Sequence, residues 1–419
     1  MSVSVSTLDG YFKERYGEVS RAVPNWAVLQ RNLPFQQAKR LGDSYHFPVV
    51  LRRSHGTTFN GSQAGTAFTL NPAKSLVSRD AQVSGTEFVV QEDIAYGVLS
   101  RAREAGEAAF GSALDEVVLG MRDTAAFYCE MASLYGGTNI GAVDGAPVVA
   151  GTTATCTIAD AAWAPGLWTG MEGACVDVFD ATLTTKRNTV GDLEVSTIDA
   201  DAKTVDLTGD AADVGAIADT DVIVPKGANG EWYSGLDQII TNTGTLFNID
   251  ASTYNLWRGN TYATGGGKLT LSKVQAGLTS AVVRGLMDDV DCYVSVYSWT
   301  DLNNDLAALR RYPNDTRGEF QQGTNNIVFH GANGGSITLI PHPMVKAGEA
   351  FIVPKNNVMR IGSTDATFRL PGVDGQQENF FQELESSAAV RLRCYWDQAL
   401  IATKPAKLVK LTGIEPESD

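Results

Sequence analysis

A chain of 419 residues, 43% hydrophobic and 19% charged, can bury ample core and is long enough for two or more domains. Its formal net charge of −15 and pI near 4.8 exclude a protein that coats nucleic acid through a broad basic face. The charge is uneven: residues 145–230 hold thirteen Asp/Glu against four Lys/Arg, whereas the first 53 hold eight Lys/Arg against four Asp/Glu. Two surfaces facing different surroundings are expected. The five cysteines (Cys129, Cys156, Cys175, Cys292, Cys394) are scattered and form no CxxC, which fits reduced thiols in a cytoplasm. The N-terminus has no charged start followed by an apolar run, so no secretory signal is read. No apolar run approaches about 18 residues, so no membrane partner is expected.

Residues 1–44 read as an arm. Ser6 or Thr7 would cap a short helix with Leu8, Tyr11, Phe12 and Tyr16 on one face. Pro24 and Pro34 then break the chain around Trp26, Leu29 and Phe35. So short a segment cannot bury those aromatics alone; they need a surface on this subunit or on another. Residues 45–93 read as a long two-stranded excursion. YHFPVVLRR alternates Phe47, Val49 and Leu51, SHGTTFNGSQAGTAF makes a polar, Gly-rich tip, and the return carries Leu70, Val77, Val83, Phe88 and Val90. A hairpin with that tip is a poor independent unit and must lie on something.

Arg103 to Tyr135 reads as one long helix. Phe110, Leu114, Val117, Val118, Met121, Ala125, Tyr128, Met131 and Tyr135 keep the three-and-four spacing of a single buried stripe, and Gly136 and Gly137 stop it. At about 1.5 Å per residue it spans roughly 45 Å. Gly106, Gly111 and Gly120 each weaken it by up to about 1 kcal/mol, so packing must supply its stability. Residues 145–230 then alternate short Val/Thr/Ile-rich runs with turns, as in TATCTIA, ACVDVFDATL and DTDVIVPKG. They read as a small β-barrel or sandwich inserted into a host domain, with Trp163 and Trp168 in its core or at its seam. Beyond it, LTLSKVQAGLTSAVVRGL (269–286) is an amphipathic helix, VDCYVSVYS (290–298) a central strand, and DLNNDLAALRRY a short helix. Further strands follow, ending with VRLRCYWDQALIA, where Val390, Leu392, Cys394 and Trp396 alternate with Arg391, Arg393 and Tyr395.

No residue set with catalytic spacing is found. His46, His55, His330 and His342 make no metal-ligand pattern and read as structural. GGGKLT (265–270) lacks the first glycine and the final Ser/Thr of a phosphate loop and is a turn. Asp199, Asp201 and Lys203 fall short of a calcium loop, with Thr204 where its glycine belongs. No catalytic residue, cofactor or metal is therefore assigned. A chain rich in extensions that need partners to bury their apolar faces has the signature of an assembly subunit, where many weak contacts add up to a stable lattice.

The order of arm, extended hairpin, long helix with a Gly-Gly stop, β-rich region and the ending VRLRCYWDQALIATKPAKLVKLTGI resembles the major capsid proteins of tailed double-stranded DNA bacteriophages. That is the Hong Kong ninety-seven type of capsid fold. The run AFIVPKNNVMRIGSTDATF is a second local match. The resemblance implies an α+β tailed-phage major-capsid fold with N-terminal arm, extended hairpin loop, long spine helix, and peripheral and axial domains, plus the inserted small β-barrel or sandwich. On this sequence it places the arm at 1–44, the hairpin loop at 45–93 and the spine-helix part of the peripheral domain at 94–144. The insert falls at 145–230, a mainly axial region at 231–385, and returning peripheral strands at 386–419. It further implies no enzymatic activity, and hexamers and pentamers in an icosahedral virion shell around packaged double-stranded DNA. Assembly would take place in the host bacterial cytoplasm. Partners would be a portal protein at one vertex, a decoration protein and, because fewer than 50 residues precede the hairpin, a separate scaffolding protein. Intersubunit contacts are expected at Tyr11, Phe12 and Trp26 of the arm and at His55, Phe59 and Phe68 of the hairpin. The other readings are an encapsulin-type cellular compartment and, in a different class, a β-rich carbohydrate-binding or surface adhesion protein.

Overall fold

The computed structural model describes residues 27–38, 43–60, 67–97, 107–309, 327–368, 382–384 and 387–417. The fold is mixed α and β, with three larger sheets around one long helix, Glu107–Tyr135. Val117, Met121, Ala125 and Cys129 are buried at four-residue steps, the stripe that the spacing predicts. From Cys129 to Tyr135 the expectation of a single stripe fails, because every residue is buried, Glu130 and Ser133 included. The last two turns are sunk in the main core rather than laid upon it. Gly136 ends the helix for a steric reason: a Cβ there would sit 2.1 Å from the Tyr233 carbonyl oxygen and 2.6 Å from that of Ala132.

One face of the helix is covered by a five-stranded sheet built on Ala389–Ala402. Leu392, Cys394 and Trp396 point inward from this strand, and Trp396 packs with Ala125, Cys129, Phe88 and Val90. Its two edges pair antiparallel with Val358–Thr367 and with Thr86–Ala95. The second pairing differs from the sequence expectation, which kept Phe88 and Val90 in the hairpin. Residues 86–95 leave the hairpin to pair with a strand some three hundred residues later, a partner no local pattern reveals. Phe35–Gln37 adds to the same sheet parallel to Arg360–Gly362, and Leu29 and Leu33 are buried in the main core. The described end of the arm thus folds on its own subunit.

A second sheet spans residues 141–225, in strand order Gly141–Ala142, Val222–Pro225, Cys175–Phe179, Leu193–Asp199, Thr204–Thr208, Thr153–Thr157, Val148–Ala150. Its first strand also bonds back to the far side. Val143 bridges Ile158, Asp144 N–H donates to the Thr157 carbonyl at 2.8 Å, and Ala159 N–H to that of Ala142 at 2.9 Å. Six strands therefore close into a small barrel, with Val148–Ala150 left as an outlying edge. Ala154, Cys156, Val176, Val178, Leu193, Val195, Val205 and Leu207 alternate into its interior and are buried. Trp163 and Trp168, stacked 6.3 Å apart, plug the seam to the body, where Ala347 N–H donates to Trp163 O and Gly166 N–H to Pro343 O.

The third sheet has six strands, in order Asn260–Ala263, Val409–Thr412, Glu349–Pro354, Val290–Val294, Ser336–Pro341, Ile327–His330. Helix Leu271–Val283, capped by the Thr270 side chain, buries Val274, Leu278 and Ala281 against it in a separate core. Val290–Val294 is central, as its mostly apolar run predicts. The next helix, Val296–Leu309, starts earlier than expected, because the Ser295 hydroxyl accepts from Ser298 N–H and turns the chain at the strand's end. Val409–Thr412 joins this sheet rather than the one containing Ala389–Ala402.

Candidate functional site

The hairpin is a ladder from Ser44↔Ser84 to Arg52↔Val77. Its base is anchored: Tyr45, Leu51, Ala81 and Val83 are in the main core, Gln82 N–H donates to the Phe247 carbonyl at 3.0 Å, and the Tyr45 hydroxyl to Asp397 at 3.3 Å. Beyond the ladder the two legs stay together. His55 N–H donates to Lys74 O at 2.9 Å, Asn71 N–H to Thr58 Oγ1 at 2.8 Å, and Asn71 Nδ2 to Thr57 O at 3.0 Å. At about 3.3 Å per residue, the leg from Ser44 to Thr58 extends roughly 45 Å.

Every described side chain in 53–60 and 67–76 except Thr58 is exposed. Among them Phe59 is 92% exposed, Phe68 52%, Leu70 72% and Leu76 53%. Large apolar groups this open make the excursion a candidate interaction surface. Of the expected contact residues, His55, Phe59 and Phe68 lie together on this excursion, while Tyr11, Phe12 and Trp26 lie outside the described residues. Leu70 and Leu76 were not among the expected contacts. Their signal was present, since Phe68, Leu70, Lys74 and Leu76 are spaced in multiples of two.

A buried polar joint holds the body that carries the hairpin. Glu130, on the long helix, accepts from the backbone N–H groups of Leu29 and Gln30 and from His342 Nε2 at 2.7 Å. His342 Nδ1 accepts from Met344 N–H at 3.1 Å, which leaves Nε2 to donate to the carboxylate. A few ångströms of chemistry thereby tie arm, helix and the 342–348 loop together. The Lys410 ammonium sits between Asp237 at 2.6 Å and Glu349 at 2.7 Å. Burial favours loss of its proton, but the charges of Glu349 and Asp237 outweigh burial and raise its pKa. Lys346 differs, because among the described residues no carboxylate lies within ion-pair distance. It donates to Asn139 O at 2.8 Å and Oδ1 at 3.0 Å, and lies 4.3 Å from the Tyr135 ring centroid. Burial lowers its pKa.

The thiols are poor nucleophiles. Burial pushes Cys156 and Cys292 up to about 12 and Cys394 up to about 11, so all three stay protonated near neutrality. Among the described residues no His/Cys/Asp/Glu group is arranged to hold a metal, and no helix is long and apolar enough to cross a membrane.

No protein-family model matches the sequence, and no curated protein matches it. Among solved structures, the Cyanophage A-1(L) capsid asymmetric unit superposes with TM-score 0.57 at 10% identity, covering 96% of this chain and 96% of that chain. The capsid of a native GTA particle aligns over 99% and 100% of the two chains with TM-score 0.49 at 7% identity. A structure from Mycobacterium phage Bobi aligns over 98% and 99% with TM-score 0.44 at 12% identity. The cyanophage match runs end to end, so the chain has the fold of a phage major capsid protein, the fold its element order resembles. Identity this low establishes the fold and assigns no residue a role.

Proposed function

We propose that the chain is a non-enzymatic structural subunit that assembles through hexamers and pentamers into an icosahedral phage shell around packaged double-stranded DNA. The carrying observation is a capsid fold whose anchored hairpin leaves Phe59, Phe68, Leu70 and Leu76 largely exposed. In this reading the hairpin is the extended loop that lies across a neighbouring subunit. The helix Glu107–Tyr135 with the sheet on Ala389–Ala402 is the peripheral domain, and the six-stranded sheet with helix Leu271–Val283 is the axial domain. The barrel is an added domain facing outward, with its thirteen Asp/Glu against four Lys/Arg, and the basic arm lies nearer the genome. A separate scaffolding protein, a portal at one vertex and a decoration protein complete the partners, with assembly in the host bacterial cytoplasm and the virion capsid as destination.

The test is negative-stain microscopy of the purified chain and of the chain co-expressed with its scaffold. Closed shells or hexamers are the expected result; stable monomers under every condition overturn the proposal. A reconstruction with the barrel on the lumenal side overturns the orientation alone.

A further inference from the structure

We infer that the basic hairpin leg of one copy docks on the acidic free edge of another copy's barrel. This rests on the shell reading and adds the surface that receives the hairpin. Three observations carry it. Residues 44–79 hold Arg52, Arg53, Lys74 and Arg79 and no Asp or Glu, whereas 145–230 hold thirteen acids against four bases, an excess of nine negative charges (13 − 4). Next, the barrel strand Val148–Ala150 pairs only with Thr153–Thr155 among the described residues, leaving its other edge open, with Val148 71% exposed and Val149 beside it. Exposed carboxylates lie near this strand: two before its start, and one past the end of Thr204–Thr208, which pairs with the other side of Thr153–Thr157. Asp144 and Asp219 are the first two, where Asp219 accepts from Gly145 N–H at 2.9 Å. Asp210 stands at the turn, where Gly209 N–H donates to Thr152 O.

The hairpin leg has the matching groups. Phe68, Leu70, Lys74 and Leu76 are all exposed and fall at even spacing, so in the docked pair apolar groups would meet the valines while the ammonium meets an aspartate. Among the described residues, no hydrogen bond or ion pair joins 53–76 to any other segment, and the base is clamped at Phe247 and Asp397. The leg therefore reaches away from its own anchor, and the occupant of the barrel edge is a second copy. A single exposed charge pair contributes little; repetition around a closed shell makes the contact count.

Shells assembled from equal parts of unlabelled and ¹⁵N-labelled full-length chain test this by zero-length carbodiimide coupling and peptide mapping. The expected product joins Lys74 to Asp144, Asp210 or Asp219 in mixed-isotope pairs, and disappears when shells are dissociated before coupling. Shells in which Lys74 couples to carboxylates outside the barrel, or to none, overturn the inference. Failure of the wild-type chain to form shells at all overturns the shell reading instead, a distinguishable result. As a second arm, Arg53→Glu with Lys74→Glu should lower shell yield roughly tenfold or more while the subunit stays folded. Adding Asp144→Lys and Asp219→Lys should restore it; folded chains that stay unassembled after the swap count against the contact.

Discussion

The hairpin and the barrel are both β-rich departures from the same body, and they treat their apolar side chains in opposite ways. The barrel curls its strands until Val143 meets Ile158, and turns its Val, Leu and Ile residues into an interior of its own. The hairpin stays two strands wide, and past Arg52 its described Phe and Leu side chains are left half or more exposed. Two strands enclose no volume, so a hairpin cannot satisfy itself however apolar it is, whereas six strands can close. A segment that completes its own core contributes to folding. On the proposed shell reading, one that cannot contributes to assembly.

Deleting residues 56–67 should break that contrast most completely. The anchored ladder below Arg52 is untouched, so the subunit should keep its thermal unfolding midpoint while closed shells vanish from negative-stain fields. Normal shells from this deletion would remove the hairpin from assembly. Next in size is Glu130→Ala, which touches folding rather than assembly. It leaves the Leu29 and Gln30 N–H groups and His342 Nε2 without their acceptor in a dry site. Removing one partner from such a buried network costs on the order of 3–5 kcal/mol. Urea titration should show that loss, with the midpoint lowered and the slope unchanged. Trp168→Ala, at the seam between barrel and body, should cost about 3–5 kcal/mol by opening a cavity the closed barrel cannot collapse into.

The sequence exposed the local parts of this design and concealed the long-range ones. The helix ending at Tyr135, the capped helix after Thr270 and the alternation Leu392, Cys394, Trp396 were readable because each rests on spacing within a dozen residues. The pairing of Thr86–Ala95 with Ala389–Gln398, the passage of Val409–Thr412 into the other large sheet and the pairing of Gly141–Ala142 with Val222–Ile223 join distant segments, and one sequence holds no record of distance. Glu130 looked like an ordinary helix former, because its acceptor role depends on Leu29 and His342 arriving from a hundred and two hundred residues away. The exposure of Phe59 and Phe68 was legible for the opposite reason. Apolar residues in a polar, Gly-rich stretch are conspicuous locally, and need no knowledge of the fold.

Proton titration sharpens the contrast between barrel and joint. Burial opposes ionisation of Asp177 and Asp213, but bonds from Gly227 N–H, Lys186 and Asn188 to the first, and from the Val190, Gly191 and Thr189 N–H groups to the second, hold both below the usual carboxylate range. With the native pKa depressed, the unfolded chain takes up protons first. The stabilisation is complete above about pH 4 and is lost as pH falls through the native values. At the joint Lys410 has the reverse sign: its raised native pKa gives stabilisation that is complete below about pH 10 and lost as pH rises through the native value. Lys346, lowered by burial, partly offsets that alkaline loss. Acid should therefore loosen the barrel first and alkali the joint. Hydrogen exchange at pH 3.5 and pH 10.5 should show earlier opening of 153–208 in the former and of 342–348 in the latter; the reverse order would break the assignment.

Phe59→Ser is expected to have the smallest effect on the subunit and separates the two kinds of apolar residue most cleanly. A side chain 92% exposed loses almost no contact with its own chain, so subunit stability should change by less than about 0.5 kcal/mol. The same substitution at Leu207, inside the barrel, should cost several times more, because it removes packing and buries a hydroxyl without a partner. In assembly the order should invert: Phe59→Ser should raise the concentration at which shells appear, while a Leu207 variant that still folds should leave it near the wild-type value. Light scattering against subunit concentration, run beside urea titrations of the two variants, measures both. If Phe59→Ser destabilised the free subunit as much as the Leu207 change, the hairpin tip would have a partner within its own chain, and exposure there would not signal assembly.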